Sequence, residues 1–135
     1  MMILVDTGPL IALTSAEDQH HAACASVIKT IRPPLGTVWP VLTEAMYLLN
    51  GLPRAQHDIW EMLARGALEL LPLGRDDVPR IRELMKKYAS RPMDLADAAL
   101  IRVAERDGLR QFFTVDRKDF SVYRLHDRIR PSILP

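Results

Sequence analysis

The chain holds a single cysteine, Cys24, among its 135 residues. That excludes an internal disulfide and suits a reducing, cytoplasmic setting. No apolar run approaches the roughly 18 residues that a membrane-crossing helix needs. No charged segment precedes the first apolar stretch, so neither a membrane anchor nor a signal peptide is expected. Aromatic residues make up only 6%, which leaves little for extensive base stacking. The formal net charge is +1, so bulk charge does not mark a nucleic-acid binder, and any such role must come from local patches. What remains is ordinary for a globular protein: 48% hydrophobic and 26% charged residues, enough chain to bury a core. No repeat, low-complexity tract or linker interrupts it, and a single domain spanning residues 1–135 is expected.

Apolar runs alternate with helical patterns. Ile3-Leu4-Val5 reads as a buried strand, and Pro9 suits the first position of a following helix. Ala23, Val27, Ile28 and Ile31 fall at helical spacing in a segment from about Asp18, which Pro33-Pro34 stops. Thr37-Val38-Trp39 reads as a second strand and Ala67 to Leu71 as a third. Helices are expected over Pro40 to Asn50, Pro53 to Arg65, Asp76 to Tyr88 and Met93 to Asp107, three of them stopped by Gly51, Gly66 and Gly108. Gln111 to Val115 reads as a fourth strand, and the segment from Tyr123 to Leu134 can supply a fifth. The alternation predicts an α/β fold of three layers, with helices on both faces of a central, mainly parallel sheet of four or five strands.

Carboxylates stand where core residues are expected. Asp6 ends the first strand and Asp116 ends "QFFTVD", at the carboxyl edge where open parallel sheets place their working surface. Glu44 shares a helix face with Val41 and Leu48; Asp97 shares one with Asp94, Leu100 and Ile101. Asp119 follows in "VDRKDF". Two like charges about 4 Å apart repel by roughly 4 kcal/mol at an effective dielectric of 20. If these acids converge they must be protonated, paired with a cationic side chain, or occupied by a cation, and no Lys or Arg shares the apolar faces. Oxygen-only ligands select a hard ion, Mg²⁺ or Mn²⁺. Such an ion activates water and stabilises charge on a phosphoryl oxygen. Thr7 and Thr114 stand beside the strand-end acids, where a hydroxyl can orient a carboxylate. Blander roles exist: Asp6 and Asp94 could cap helices, and Asp116 and Asp119 could be turn residues. Glu44 and Asp97 have no such role, because an unpaired acid on an apolar face is costly.

Three ordered stretches, "ILVDTGPLIAL", "WPVLTEAMYLL" and "PMDLADAALIRVAERDGLRQFFTVDRKDF", resemble the PIN domain, most closely the VapC toxins of type II toxin–antitoxin systems. The resemblance spans nearly the whole chain. It implies a PIN-like fold and an Mg²⁺- or Mn²⁺-dependent endoribonuclease that cuts tRNA, rRNA or mRNA. It also implies a homodimer restrained by a cognate antitoxin protein. The family's acidic site falls on Asp6, Glu44, Asp97 and Asp116, Asp94 matches a further acid, and Thr114 the Thr of a T-x-D stretch.

A polyanion needs basic residues around an acidic cleft. Arg117 and Lys118, beside Asp116, are candidates for RNA phosphate contacts. Arg75, Arg80, Arg82, Lys86, Lys87 and Arg91 form a run that could equally be a solvated face, and Arg124, Arg128 and Arg130 lie near the C-terminus. His20 and Cys24 have i, i+4 spacing, but two ligands are not a zinc site. Other readings stay open: a PIN-fold domain that binds RNA or protein without cleaving, an aspartate-nucleophile phosphatase, or a phosphoacceptor receiver. The phosphatase reading wants a second Asp two residues after Asp6, where Gly8 stands.

Overall fold

Leu4 and Val5 are adjacent in a strand, so their side chains point to opposite faces of the sheet, yet neither is exposed at all. Both faces of the sheet are therefore covered. The computed structural model, which describes residues 1–91 and 93–135, shows what covers them. Strands β1 (Ile3–Val5), β2 (Leu35–Thr37), β3 (Leu68–Leu70), β4 (Gln111–Phe113) and β5 (Ser132–Leu134) form one sheet in the order β3-β2-β1-β4-β5. Every pairing is parallel, with Leu4 opposite Gly36 on one side and Phe112 on the other. The helices are α1 (Thr7–Thr14), α2 (His21–Ile28), α3 (Trp39–Leu48), α4 (Pro53–Ala64), α5 (Val78–Lys87), α6 (Leu95–Asp107) and α7 (Arg117–Phe120). This is the expected α/β layering, with the sheet five-stranded and parallel.

The strand order positions the site. From β1 the chain moves outward to β3, then returns to the opposite side of β1 to lay down β4. Neighbouring β1 and β4 thus send their connections in opposite directions, which opens a crevice beyond their carboxyl ends. Helix α6 supplies much of the core: Ala98, Ala99, Leu100, Ile101 and Val103 are fully buried. Its small residues let it pack closely, and Gly108, at φ 69°, ends it in the left-handed conformation that other residues resist. A buried carboxylate fixes the other side of α6. Asp77 accepts hydrogen bonds from the Gly74 N–H (2.8 Å), Arg102 Nε (2.8 Å) and Arg106 Nη1 (3.1 Å).

Several boundaries differ from the sequence reading. Helix α1 starts at Thr7, so Pro9 is its third residue, where a missing N–H still costs no intrahelical bond. Helix α2 starts at His21 rather than near Asp18, and Ile31 lies beyond its end. Trp39 is not in a strand: β2 ends at Thr37, and Trp39 opens α3 with Pro40 in its first turn. Leu48 is 56% exposed, so the face carrying Glu44 is buried at Val41 but not throughout. Pro92, in the "PMDLAD" stretch, lies outside the described residues.

Candidate active site

Asp6 follows β1, and its backbone N–H donates to the Phe113 carbonyl at 3.0 Å, prolonging the β1–β4 ladder by one bond. Although Asp6 occupies the cap position of α1, its side chain caps nothing. It turns instead to the next strand. The Thr114 hydroxyl donates to Asp6 Oδ2 at 3.0 Å and accepts from the Asp116 N–H, also at 3.0 Å. One buried hydroxyl thus sets both strand-end acids.

Asp97 lies in the first turn of α6, on a face otherwise made of Ala and Leu, and is only 8% exposed. Its Oδ2 accepts a 2.9 Å hydrogen bond from the hydroxyl of Tyr123, a residue with no exposed surface. The Tyr123 ring meets Tyr88 at 5.1 Å and Phe120 at 5.2 Å between centroids, both edge-on, and the Tyr88 hydroxyl accepts from the Arg124 N–H. Sequence reasoning missed Tyr123. Its only signal was a hydroxyl-bearing aromatic in an otherwise apolar "FSVY" run, and nothing local pairs it with a residue 26 positions earlier.

The remaining acids divide. Asp94 does cap α6, its Oδ1 accepting from the Asp97 N–H at 2.9 Å. Asp116 does cap α7, accepting from the Asp119 N–H at 3.2 Å. Each still has a second oxygen. Glu44, half-buried on α3, and the exposed Asp94 line one pocket of about 350 Å³. Asp119 is paired: Arg91 Nη1 approaches it at 3.4 Å, so one cationic side chain does reach this region. Arg117 turns away to the Pro135 carbonyl, while Lys118 is exposed. In the long basic run, Arg80 is bound to Glu105 and Glu83, and so holds α5 against α6.

The electrostatics are those of crowded, desolvated acids. Burial pushes the Asp6 carboxyl up to about 6. The Thr7 backbone and the Thr114 hydroxyl work against the shift, and the charges of Glu44 and Asp94 add to it. Asp97 rises further, to about 8, through burial first and then the charges of Asp6 and Asp94; Tyr123 opposes and Asp116 adds to the rise. Asp116 is raised too, chiefly by burial. Burial and the Asp97 charge hold the Tyr123 phenol well above its ordinary range, so it remains a donor. The largest influences on Asp6, Asp97 and Asp116 are burial, hydrogen bonds and neighbouring carboxylates, with no cationic side chain among them.

As they stand, no three of these carboxylates among the described residues come together tightly enough to hold a metal ion. The donor set nonetheless fits a hard divalent cation, being all oxygen and electrostatically coupled. The buried Thr7 hydroxyl, next to Asp6, has no hydrogen-bond partner among the described residues.

The sequence profile of the PIN domain matches residues 3–125. This chain is a PIN domain protein. Among its relatives, ribonuclease VapC26 of Mycobacterium tuberculosis (strain ATCC 25618 / H37Rv) is 29% identical over 136 residues, which cover 98% of this chain and all of the relative. The crystal structure of M. tuberculosis VapC20, described as a sarcin–ricin loop cleaving toxin, superposes with a TM-score of 0.78 at 22% identity. It covers 85% of this chain and 90% of its own. A toxin–antitoxin complex from Klebsiella pneumoniae matches with a TM-score of 0.69 at 19% identity, over 98% of this chain and 96% of that one. These superpositions show that the chain shares the overall fold of those proteins.

Proposed function

We propose that residues 1–135 form a single PIN domain acting as a divalent-metal-dependent endoribonuclease, the toxin of a type II toxin–antitoxin pair. The observation that carries this reading is the convergence of Asp6 and Asp97, buried acids with raised pKa values, at the switch point of a parallel sheet. The named ribonuclease among the relatives supports the reaction class.

In this reading Asp6, Glu44, Asp97 and Asp116 are the catalytic acids and would hold Mg²⁺ or Mn²⁺, with Asp94 through its uncommitted oxygen. When bound, the ion supplies a water of lowered pKa and charge stabilisation at the phosphoryl oxygen. The protein's own part is positioning. Thr114 fixes the Asp6 carboxylate and the Asp116 backbone together, and Tyr123 holds Asp97 in one orientation. Thr7 offers a free hydroxyl beside Asp6 for orienting a water, and Asp119, paired to Arg91, supports the α7 turn. Lys118 is the better placed contact for an RNA phosphate; Arg117 would have to leave the Pro135 carbonyl first.

The toxin–antitoxin complex among the structural neighbours supports an antitoxin partner. Homodimerisation is consistent with the large side chains that α3 and α4 leave exposed, Tyr47 (77%), Leu48 (56%) and Trp60 (48%). Incubating the purified protein with labelled tRNA, rRNA and mRNA in Mg²⁺ or Mn²⁺, then in EDTA, tests the nuclease reading. Cleavage that stops in EDTA and in Asp97→Asn is expected. Cleavage that survives either one contradicts it.

A further inference from the structure

Two acids of the proposed nuclease site, Glu44 and Asp94, share their pocket with apolar side chains that metal binding does not use. Trp39 opens α3 with its side chain 53% exposed, and across from it Leu95, at the start of α6, is 50% exposed. The two line the same pocket as Glu44 and Asp94, with Pro40 and Ala96 completing its apolar walls. Two large apolar side chains lining one concave space, each half in water, are poor use of hydrophobic surface unless something covers them. Trp39 stacks on no other aromatic ring among the described residues.

Its backbone is held firmly. Pro40 fixes the next residue, and the Thr43 hydroxyl donates to the Trp39 carbonyl at 3.0 Å. A platform already fixed in place loses little entropy when a ligand settles on it.

The division of the pocket selects the occupant. Glu44 and Asp94 at its margin belong to the proposed metal-holding acids and so to the phosphate, which leaves the apolar walls to a neutral, flat part of the nucleotide. A nucleobase fits that description: it is flat, it has a π-face to lay on the indole, and its ring or exocyclic N–H groups can donate to a carboxylate. An arginine side chain of a protein partner would pair with the carboxylates and lie on the indole, an outcome that the experiment below separates from base binding. We propose that the slot between Trp39 and Leu95 is a nucleobase subsite, which holds the base beside the phosphate that the acids cleave. This inference rests on the nuclease reading, and names where its substrate is gripped.

The chain has two tryptophans, so Trp60→Phe leaves Trp39 as the sole indole emitter. In Asp97→Asn/Trp60→Phe with Mg²⁺, a short single-stranded RNA of mixed sequence should quench that emission as it binds. In the cleavage assay, Trp39→Ala should raise KM roughly 5- to 150-fold, the factor equivalent to ~1–3 kcal/mol of base–aromatic stacking, with kcat changed far less. Trp39→Phe should recover most of the loss, and Leu95→Ala, on the opposite wall, should also raise KM. Binding of the RNA, followed by anisotropy of a label on it, without quenching at Trp39 would overturn the subsite. So would an unchanged KM in both Trp39→Ala and Leu95→Ala. If Trp39→Ala instead changes only the sedimentation of the protein or its capture of an Arg-rich peptide, the surface serves protein contact and the proposal is wrong. A wild-type protein that neither binds nor cleaves any RNA would remove the nuclease reading itself, which these variants leave intact if they fail alone.

Discussion

Replacing Asp97 with asparagine should make the metal-free protein more stable, and the size of the gain should depend on pH. Asp97 titrates at about 8 in the folded protein against 3.8 in an ordinary environment. A raised folded pKa means that the folded state holds the proton more tightly than the unfolded chain does. Its stabilising effect is therefore complete below pH ~4 and is lost as pH climbs through the interval up to about 8. Over that interval each pH unit costs about 1.4 kcal/mol, so at pH 8 the ionised or proton-retaining Asp97 penalises folding by ~5 kcal/mol at most. The repulsion between Asp6 and Asp97 belongs to both and counts once, and relaxation of the crevice admits water, so about 2–4 kcal/mol is the expected difference. Asparagine keeps the shape and can still accept the Tyr123 hydroxyl. Urea unfolding in EDTA at pH 4.5, 6, 7 and 8 measures the effect directly. Asp97→Asn should exceed the wild type by that amount at pH 8, about 6–12 °C in melting temperature for a chain of this size, and by less than ~1 kcal/mol near pH 4.5. Parallel pH profiles for the two proteins, or a less stable variant at pH 8, would refute the view that desolvated, mutually repelling acids line this crevice. Mg²⁺ or Mn²⁺ should stabilise the wild type far more than the variant, because the ligand binds only where the charge remains.

Tyr123→Phe retains the ring contacts and removes one buried hydrogen bond to a carboxylate, so it should cost about 1–3 kcal/mol in unfolding experiments. Because Asp97 then loses its fixed orientation, Mn²⁺ affinity by calorimetry should fall as well; an unchanged affinity would make Tyr123 merely structural. Gly8→Ala brings a Cβ to 2.3 Å from Val115 Cγ2, between the turns that carry Asp6 and Asp116. It should destabilise by about 1–3 kcal/mol and lower cleavage, and Val115→Ala in the same chain should restore both. Asp77→Ala strips three donors of their acceptor and should cost about 2–3 kcal/mol while leaving RNA cleavage per folded molecule unchanged. The partners of Asp77 hold its pKa below the usual range, so this contribution is present above pH ~4 and disappears on acidification; denaturation at pH 3 and pH 6 reads the difference.

Much of this architecture was legible because its signals are local. Consecutive apolar residues mark strands covered on both faces, and Gly51, Gly66 and Gly108, all at positive φ, end helices where the pattern said they would. Thr37-Val38-Trp39 misled because Val and Trp favour strands. The decisive residue was Pro40, which is tolerated in the first turn of a helix and so takes Trp39 into α3. Glu44 and Asp97 stood out because a charge on an apolar face has to be explained by something outside the helix. The capping role of Asp94 was equally visible, since an Asp ahead of a helix has an obvious use for its oxygen; Asp116 read as a turn residue because the four-residue α7 it caps is too short to show a period, and the cap expected of Asp6 is not made.

By itself, then, the sequence determined most of the elements, though not α7 or the bounds of β2, and the chemistry of the acids, since these follow from periodicity and from the properties of single residues. Only the tertiary structure decided which of those residues meet. Placing β4 beside β1 lets Thr114 reach Asp6 across 108 positions of chain, and folding the last segment under α6 delivers Tyr123 to Asp97. Those pairings come from strand order and from packing among distant apolar surfaces, and residue spacing along one chain carries no record of either.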